Sequence, residues 1–129
     1  MTQIMIVDDS PTDTYLLQAM LERNGYQTLT AVNGNEGVEV ARLIKPDLIL
    51  MDVVMPEMNG FQALRLLGSD PETALIPVIL VTRKDQKVDR AWGMRQGARD
   101  YVTKPVNEGA LLSTISEALC QEHATPCQP

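Results

Sequence analysis

A chain of 129 residues, 44% apolar and 22% charged, has the size and make-up of one globular domain. Its net charge of -6 argues against nonspecific nucleic-acid binding, which takes a basic face to neutralise phosphates. No apolar stretch approaches the roughly 20 residues of a membrane span, and Met1-Thr2-Gln3-Ile4 lacks the basic opening of a signal peptide, so a cytoplasmic, unanchored chain is expected.

Ile4-Met5-Ile6-Val7 is a continuous apolar run, the pattern of a strand buried on both faces. Ser10-Pro11 then predicts a helix N-cap with proline at the first helical position. Leu17, Met20 and Leu21 recur at helical spacing, and Asn24-Gly25 gives a stop. Thr28 to Val32 predicts a second strand, and Asn33-Gly34 turns into a helix with Val38, Ala41 and Ile44 inward, ended by Pro46. Leu48-Ile49-Leu50-Met51 is a third buried strand, and Asn59-Gly60 opens a helix carrying Phe61, Leu64 and Leu67. A loop at Asp70-Pro71-Glu72-Thr73 leads to a fourth strand, Val78-Ile79-Leu80-Val81.

A fourth helix is expected from Gln86 to Gln96, with Val88, Ala91, Trp92 and Arg95, stopped by Gly97. Asp100 to Thr103 predicts a short fifth strand, and Asn107 caps a last helix that buries Leu111, Leu112, Ile115 and Leu119. The domain is expected to fill residues 1–121, with 122–129 a flexible tail broken by Pro126 and Pro129. Five strand-helix units imply a three-layer, doubly wound α/β domain with a parallel sheet. No G-x-G-x-x-G follows the first strand, which disfavours the dinucleotide-binding strand order and leaves the flavodoxin-like order 2-1-3-4-5. Near the end, Cys120 and Cys127, with only His123 between them as a further metal-ligand type, read as a disulfide, half a metal site or two unpaired cytosolic thiols; four-ligand spacing is missing, and the unpaired thiols are expected.

Chemistry collects after the strands. Asp8 and Asp9 follow the first run, Asp52 the third and Thr82 the fourth, while Lys104 follows the fifth strand. The carboxyl ends of an open parallel sheet converge on one crevice, so these residues can meet although far apart in the chain. Each has an ordinary explanation when taken singly: a capping turn, a solvated strand end, a good strand residue, a loop charge. Together they point elsewhere. Crowded carboxylates repel; magnesium, which prefers oxygen ligands and keeps several waters, relieves this. One carboxylate in such a site can attack phosphorus and form an acyl phosphate. Lys104 offers a movable cation and Thr82 a hydroxyl donor for phosphoryl oxygens.

With Ile6-Val7-Asp8-Asp9-Ser10, Leu50-Met51-Asp52-Val53-Val54-Met55-Pro56, Asn59-Gly60, Val81-Thr82, Gly97-Ala98-Arg99-Asp100-Tyr101 and Thr103-Lys104-Pro105, the chain resembles the receiver domains of two-component response regulators over about residues 3 to 120. The resemblance implies that Asp52 is the phosphoacceptor, charged by a histidine kinase of the chemotaxis type. It implies magnesium held directly by Asp9, mainly through water by Asp8, and by Asp52 and the backbone carbonyl of Val54. Lys104 and Thr82 would bind phosphoryl oxygens, Tyr101 would be the switch aromatic, and the Lys104-Pro105 bond would be cis. The chain would assist its own phosphorylation and dephosphorylation without being an enzyme. No room remains for a DNA-binding or catalytic output domain, so output by protein contact is expected, through the face of helix 4, strand 5 and helix 5. A monomer is expected.

Within the family, Lys84-Asp85-Gln86, Trp92-Gly93 and the stretch from Arg95 to Tyr101 look most like stand-alone regulators of type IV pilus twitching motility. Two departures bear on lifetime. Arg83 stands where the family commonly has alanine or glycine, and Val54 and Lys84 occupy the positions that help orient attacking water in some members. An apolar Val54 side chain cannot orient water by hydrogen bonding, so slow self-dephosphorylation is expected. Other readings are a phosphate sink for a shared kinase, or an aspartyl phosphatase of the haloacid dehalogenase type. The adjacent Asp8-Asp9 and the lack of a cap-sized insertion count against the latter.

Overall fold

Every stretch expected to be a strand is one: β1 (Gln3–Val7), β2 (Gln27–Ala31), β3 (Leu48–Asp52), β4 (Val78–Arg83) and β5 (Asp100–Lys104). The computed structural model describes residues 2–53, 55, 58–83, 94–95 and 97–122. The strands form one parallel sheet in the order β2-β1-β3-β4-β5, the flavodoxin-like order. Between and after them lie α1 (Pro11–Glu22), α2 (Gly34–Ile44), α3 (Gly60–Ser69) and α4 (Glu108–Glu122). The three central strands are buried almost throughout, whereas β2 and β5 at the edges are half-exposed. That difference explains why β1, β3 and β4 read as unbroken apolar runs and β2 and β5 as mixed ones.

Successive strand residues point to opposite faces, and the sheet sorts its side chains accordingly. Ile4, Ile6, Leu48, Leu50, Ile79 and Val81 pack under α1 and α4, with Leu17, Leu21, Leu111 and Ile115. Met5, Val7, Ile49, Met51, Val78 and Leu80 pack with Ala41 of α2 and with Leu64 and Leu67 of α3. Each fully buried side chain of this size contributes about 1.5–3 kcal/mol relative to exposure.

The helices begin where side chains cap them. Ser10 Oγ accepts from Asp13 N at 3.3 Å, Asn33 Oδ1 from Glu36 N at 2.8 Å, and Asn107 Oδ1 from Ala110 N at 2.9 Å. Asn59 and Gln62 form a reciprocal capping box, with bonds of 2.9 and 3.0 Å. Across the gap between α1 and α4, the Arg23 guanidinium and the Asn24 amide both donate to Glu108, and the Arg23 bond leads in holding that carboxyl below its usual range.

Ile44 was expected to face inward and instead stands 53% exposed. Pro46 disfavours helical geometry in the residue before it, and Lys45 leaves the helix in the left-handed region at φ 54°. The end of α2 after the buried Ala41 therefore stands clear of the core, as the exposure of Arg42 and Leu43 also indicates. Cys120 is a second correction. It is disulfide-bonded rather than an unpaired thiol; the other cysteine of the sequence, Cys127, lies outside the described residues. Helix α4 runs through Glu122. Of the helix expected over Gln86 to Gln96, Met94 and Arg95 are helical and the rest, Trp92 included, lies outside the described residues, as does 123–129. No described helix is long and apolar enough to cross a membrane.

Candidate functional site

Strand parity decides which of the expected residues meet. Asp8 continues the alternation of Ile4 and Ile6, Asp52 that of Leu48 and Leu50, and Lys104 that of Val102, all on the α1 side of the sheet. At the carboxyl edge the three converge: Lys104 Nζ lies 3.0 Å from Asp8 Oδ2 and 3.8 Å from Asp52 Oδ1. Asp8, Asp9 and Asp52 each offer a carboxylate oxygen within 4.8 Å of the others. Asp8 and Asp52 are buried and Asp9 is exposed, so the cluster opens to solvent on the Asp9 side.

Both oxygens of Asp8 are engaged, Oδ1 accepting from Ser10 N at 2.9 Å and Oδ2 from Lys104. Lys104 also donates to Asp13 Oδ2, at 2.8 Å. Burial alone would push the Lys104 ammonium down. Its bonds to Asp13 and Asp8, with the charges of Asp52 and Asp8, outweigh that and hold its pKa above the ordinary lysine value. Lys104 is therefore a permanent cation at neutral pH.

The carboxyl end of β3 is pinned from the far side. Gly60 N donates to Val53 O at 2.8 Å, and Val53 N to Val81 O at 3.2 Å. A Cβ built on Gly60 would stand 2.5 Å from Asp52 O and 2.9 Å from Val53 Cα, so only glycine lets α3 approach the strand this closely.

Thr82 and Tyr101 share the opposite parity. Thr82 is buried, and Tyr101 packs with the α2 and α3 side of the core. Register pairs Leu80 with Tyr101 and Thr82 with Thr103, which makes Thr82 and Tyr101 diagonal neighbours on one face. The Lys104-Pro105 peptide is cis, as the resemblance implied. Val54 lies outside the described residues, so its carbonyl is not placed.

The oxygen-only donor set around Asp8, Asp9 and Asp52 suits a hard divalent cation such as magnesium. Asp13 is the participant that sequence reasoning missed. It sits three residues after the Ser10 cap, where an acidic residue ordinarily serves the helix start, and its bond to Lys104 spans 91 positions that no local pattern reveals.

A family model described as "Response regulator receiver domain" matches residues 4–116. The chain belongs to the response regulator receiver domains. This receiver domain is 61% identical over 119 residues to Protein PilH of Pseudomonas aeruginosa, covering 92% of the chain and 98% of that protein. It is 40% identical over 113 residues to the response regulator PleD of Caulobacter vibrioides, covering 88% of the chain but 25% of the larger protein. Among solved structures, the signal receiver domain of a signal transduction histidine kinase from Syntrophus aciditrophicus superposes with a TM-score of 0.87 at 39% identity, covering 100% of this chain and 98% of that one. As a receiver domain the chain is a phosphoacceptor and a switch in two-component signalling.

Proposed function

We propose that Asp52 is the acceptor of this receiver domain and that its acidic neighbours hold magnesium. One observation carries the reading: a permanent lysine cation lies 3.8 Å from a buried aspartate, inside a set of three carboxylates whose oxygens fall within 4.8 Å of each other. An Asp52 oxygen forms the new bond to phosphorus as the bond from phosphorus to the imidazole nitrogen of a phosphohistidine donor breaks. Asp8, Asp9 and Asp52, with the Val54 carbonyl that the family resemblance implies, would hold magnesium, which would supply positive charge to the phosphoryl oxygens. Lys104 takes a phosphoryl oxygen, and the Thr82 hydroxyl is drawn inward to another. Movement of Thr82 frees space for Tyr101, its diagonal neighbour, to turn inward.

The surface that changes includes β5 and α4, and a protein target reads it. The high identity to PilH supports a role in pilus-driven twitching motility or chemotaxis, with a chemotaxis-type histidine kinase as donor, in the cytoplasm. Residues 1–121 form the working unit, as a monomer.

The test is an NMR titration with beryllofluoride, a phosphoryl mimic, in magnesium. Resonances of Asp9, Asp52 and Lys104 are expected to shift, and the shifts to spread to Tyr101 and Leu111; a chelator should abolish them. Binding without magnesium sinks the metal assignment, and shifts confined to the loops sink the propagated switch. The lifetime expectation has its own measurement. Val54→Asn should shorten the half-life of the phosphorylated form severalfold, and an unchanged decay rate would rule out the account based on Val54.

A further inference from the structure

Lys104 is shared between two carboxylates of very different standing. The Asp8 side chain is 1% exposed and that of Asp13 38% exposed, yet the Asp13 bond is the shorter, at 2.8 Å against 3.0 Å. The separation from Asp52, 3.8 Å, exceeds hydrogen-bond length. Bringing the ammonium within bonding distance of an oxygen on Asp52 lengthens one of the two bonds it already makes. An unpaired carboxylate is costly when buried and cheap when solvated, so Asp13 gives way before Asp8.

Among the described residues, the cavity beside this pair favours that exchange. Asp13 and Lys104 close one end of a cavity of about 150 Å³ whose other lining residues are Leu16, Leu17, Met20, Pro105 and Val106. None of those side chains can accept from an ammonium strongly, so one released from Asp13 finds its side-chain acceptors at Asp8 and Asp52. We propose that Asp13 is a positioning residue for phosphoryl uptake: it holds Lys104 back in the free protein and competes with the arriving phosphoryl group for that ammonium. The inference rests on the reading of Asp52 as acceptor and deepens it. Asp13 itself touches neither the phosphoryl group nor the nucleophile; it acts through Lys104.

Beryllofluoride affinity in magnesium tests the idea in four proteins: wild type, Asp13→Asn, Lys104→Met and the double variant. Asp13→Asn should bind about fivefold more tightly than wild type, ~1 kcal/mol. In the Lys104→Met background the same substitution should gain less than about twofold, because no ammonium is left to release. An equal gain in both backgrounds overturns the proposal, since Asp13 would then act by its charge alone. Unchanged or weaker binding by Asp13→Asn, with wild-type binding intact, also overturns it. Failure of the wild type to bind removes the acceptor reading and the competition with it. A readout that needs no ligand is the side-chain ammonium resonance of Lys104 in the free protein. It should shift and exchange faster with water in Asp13→Asn, and a resonance identical to wild type overturns the proposal.

Discussion

Asp52→Asn is expected to abolish phosphoryl uptake from acetyl phosphate in magnesium while leaving the fold in place. The amide keeps the size and shape of the carboxylate but lacks the charged oxygen nucleophile. Neither neighbour can substitute. Asp8 is buried with one oxygen taken by Ser10 N and the other by Lys104, and Asp9 lies at the exposed rim. Intact-mass measurement after incubation should show one added phosphoryl group on the wild type and none on the variant. Equal labelling of the two proteins would overturn the assignment of Asp52. The variant should unfold within ~1 kcal/mol of wild type, because the amide keeps the volume of the side chain and removes one of three crowded carboxylate charges.

Gly60→Ala is expected to cost stability although it adds a single methyl group. The new carbon would stand 2.5 Å from Asp52 O and 2.9 Å from Val53 Cα, both backbone atoms of a pinned strand end. Overpacking of this kind costs about 1–3 kcal/mol, more than the roughly 0.5–1 kcal/mol that alanine recovers over glycine in a helix. At about 3–6 °C per kcal/mol for a domain of this size, the melting temperature should fall by several degrees or more. Gly68, on the same helix, is the control. Nothing lies within 4 Å of its added carbon, so Gly68→Ala should be neutral or stabilising. Equal melting temperatures for the two variants would refute the close-approach argument. Since the displaced atoms belong to Asp52 and Val53, Gly60→Ala should also slow phosphoryl uptake.

Much of this was legible beforehand, for identifiable reasons. A strand buried on both faces has to be apolar throughout, so β1, β3 and β4 announced themselves, and the charged residues just beyond them marked the edge where a parallel sheet gathers its chemistry. Asn59-Gly60 read correctly as a helix start, yet the steric reason for the glycine needed the distance to Asp52. Ile44 misled because helical spacing says which side a residue takes and not how far the helix overlaps the sheet. Asp13 stayed hidden because its role depends on Lys104, and a residue three positions past a cap has a sufficient local explanation.

The alternation of strand and helix has an electrostatic consequence for the acidic edge. In a parallel sheet each helix starts where a strand stops, so the caps at Ser10, Asn33, Asn59 and Asn107 turn the amino ends of α1 to α4 toward the edge that carries Asp8 and Asp52. Each such end carries a macrodipole charge of roughly +0.5, effective over its first turn. The contact is direct at Ser10, whose backbone amide donates into the Asp8 carboxylate at 2.9 Å. Part of the crowding among three aspartates is thus relieved by the backbone itself, before any cation arrives. A substitution that frays the first turn of α1 changes the charge balance at Asp8 even though no acidic residue has been touched.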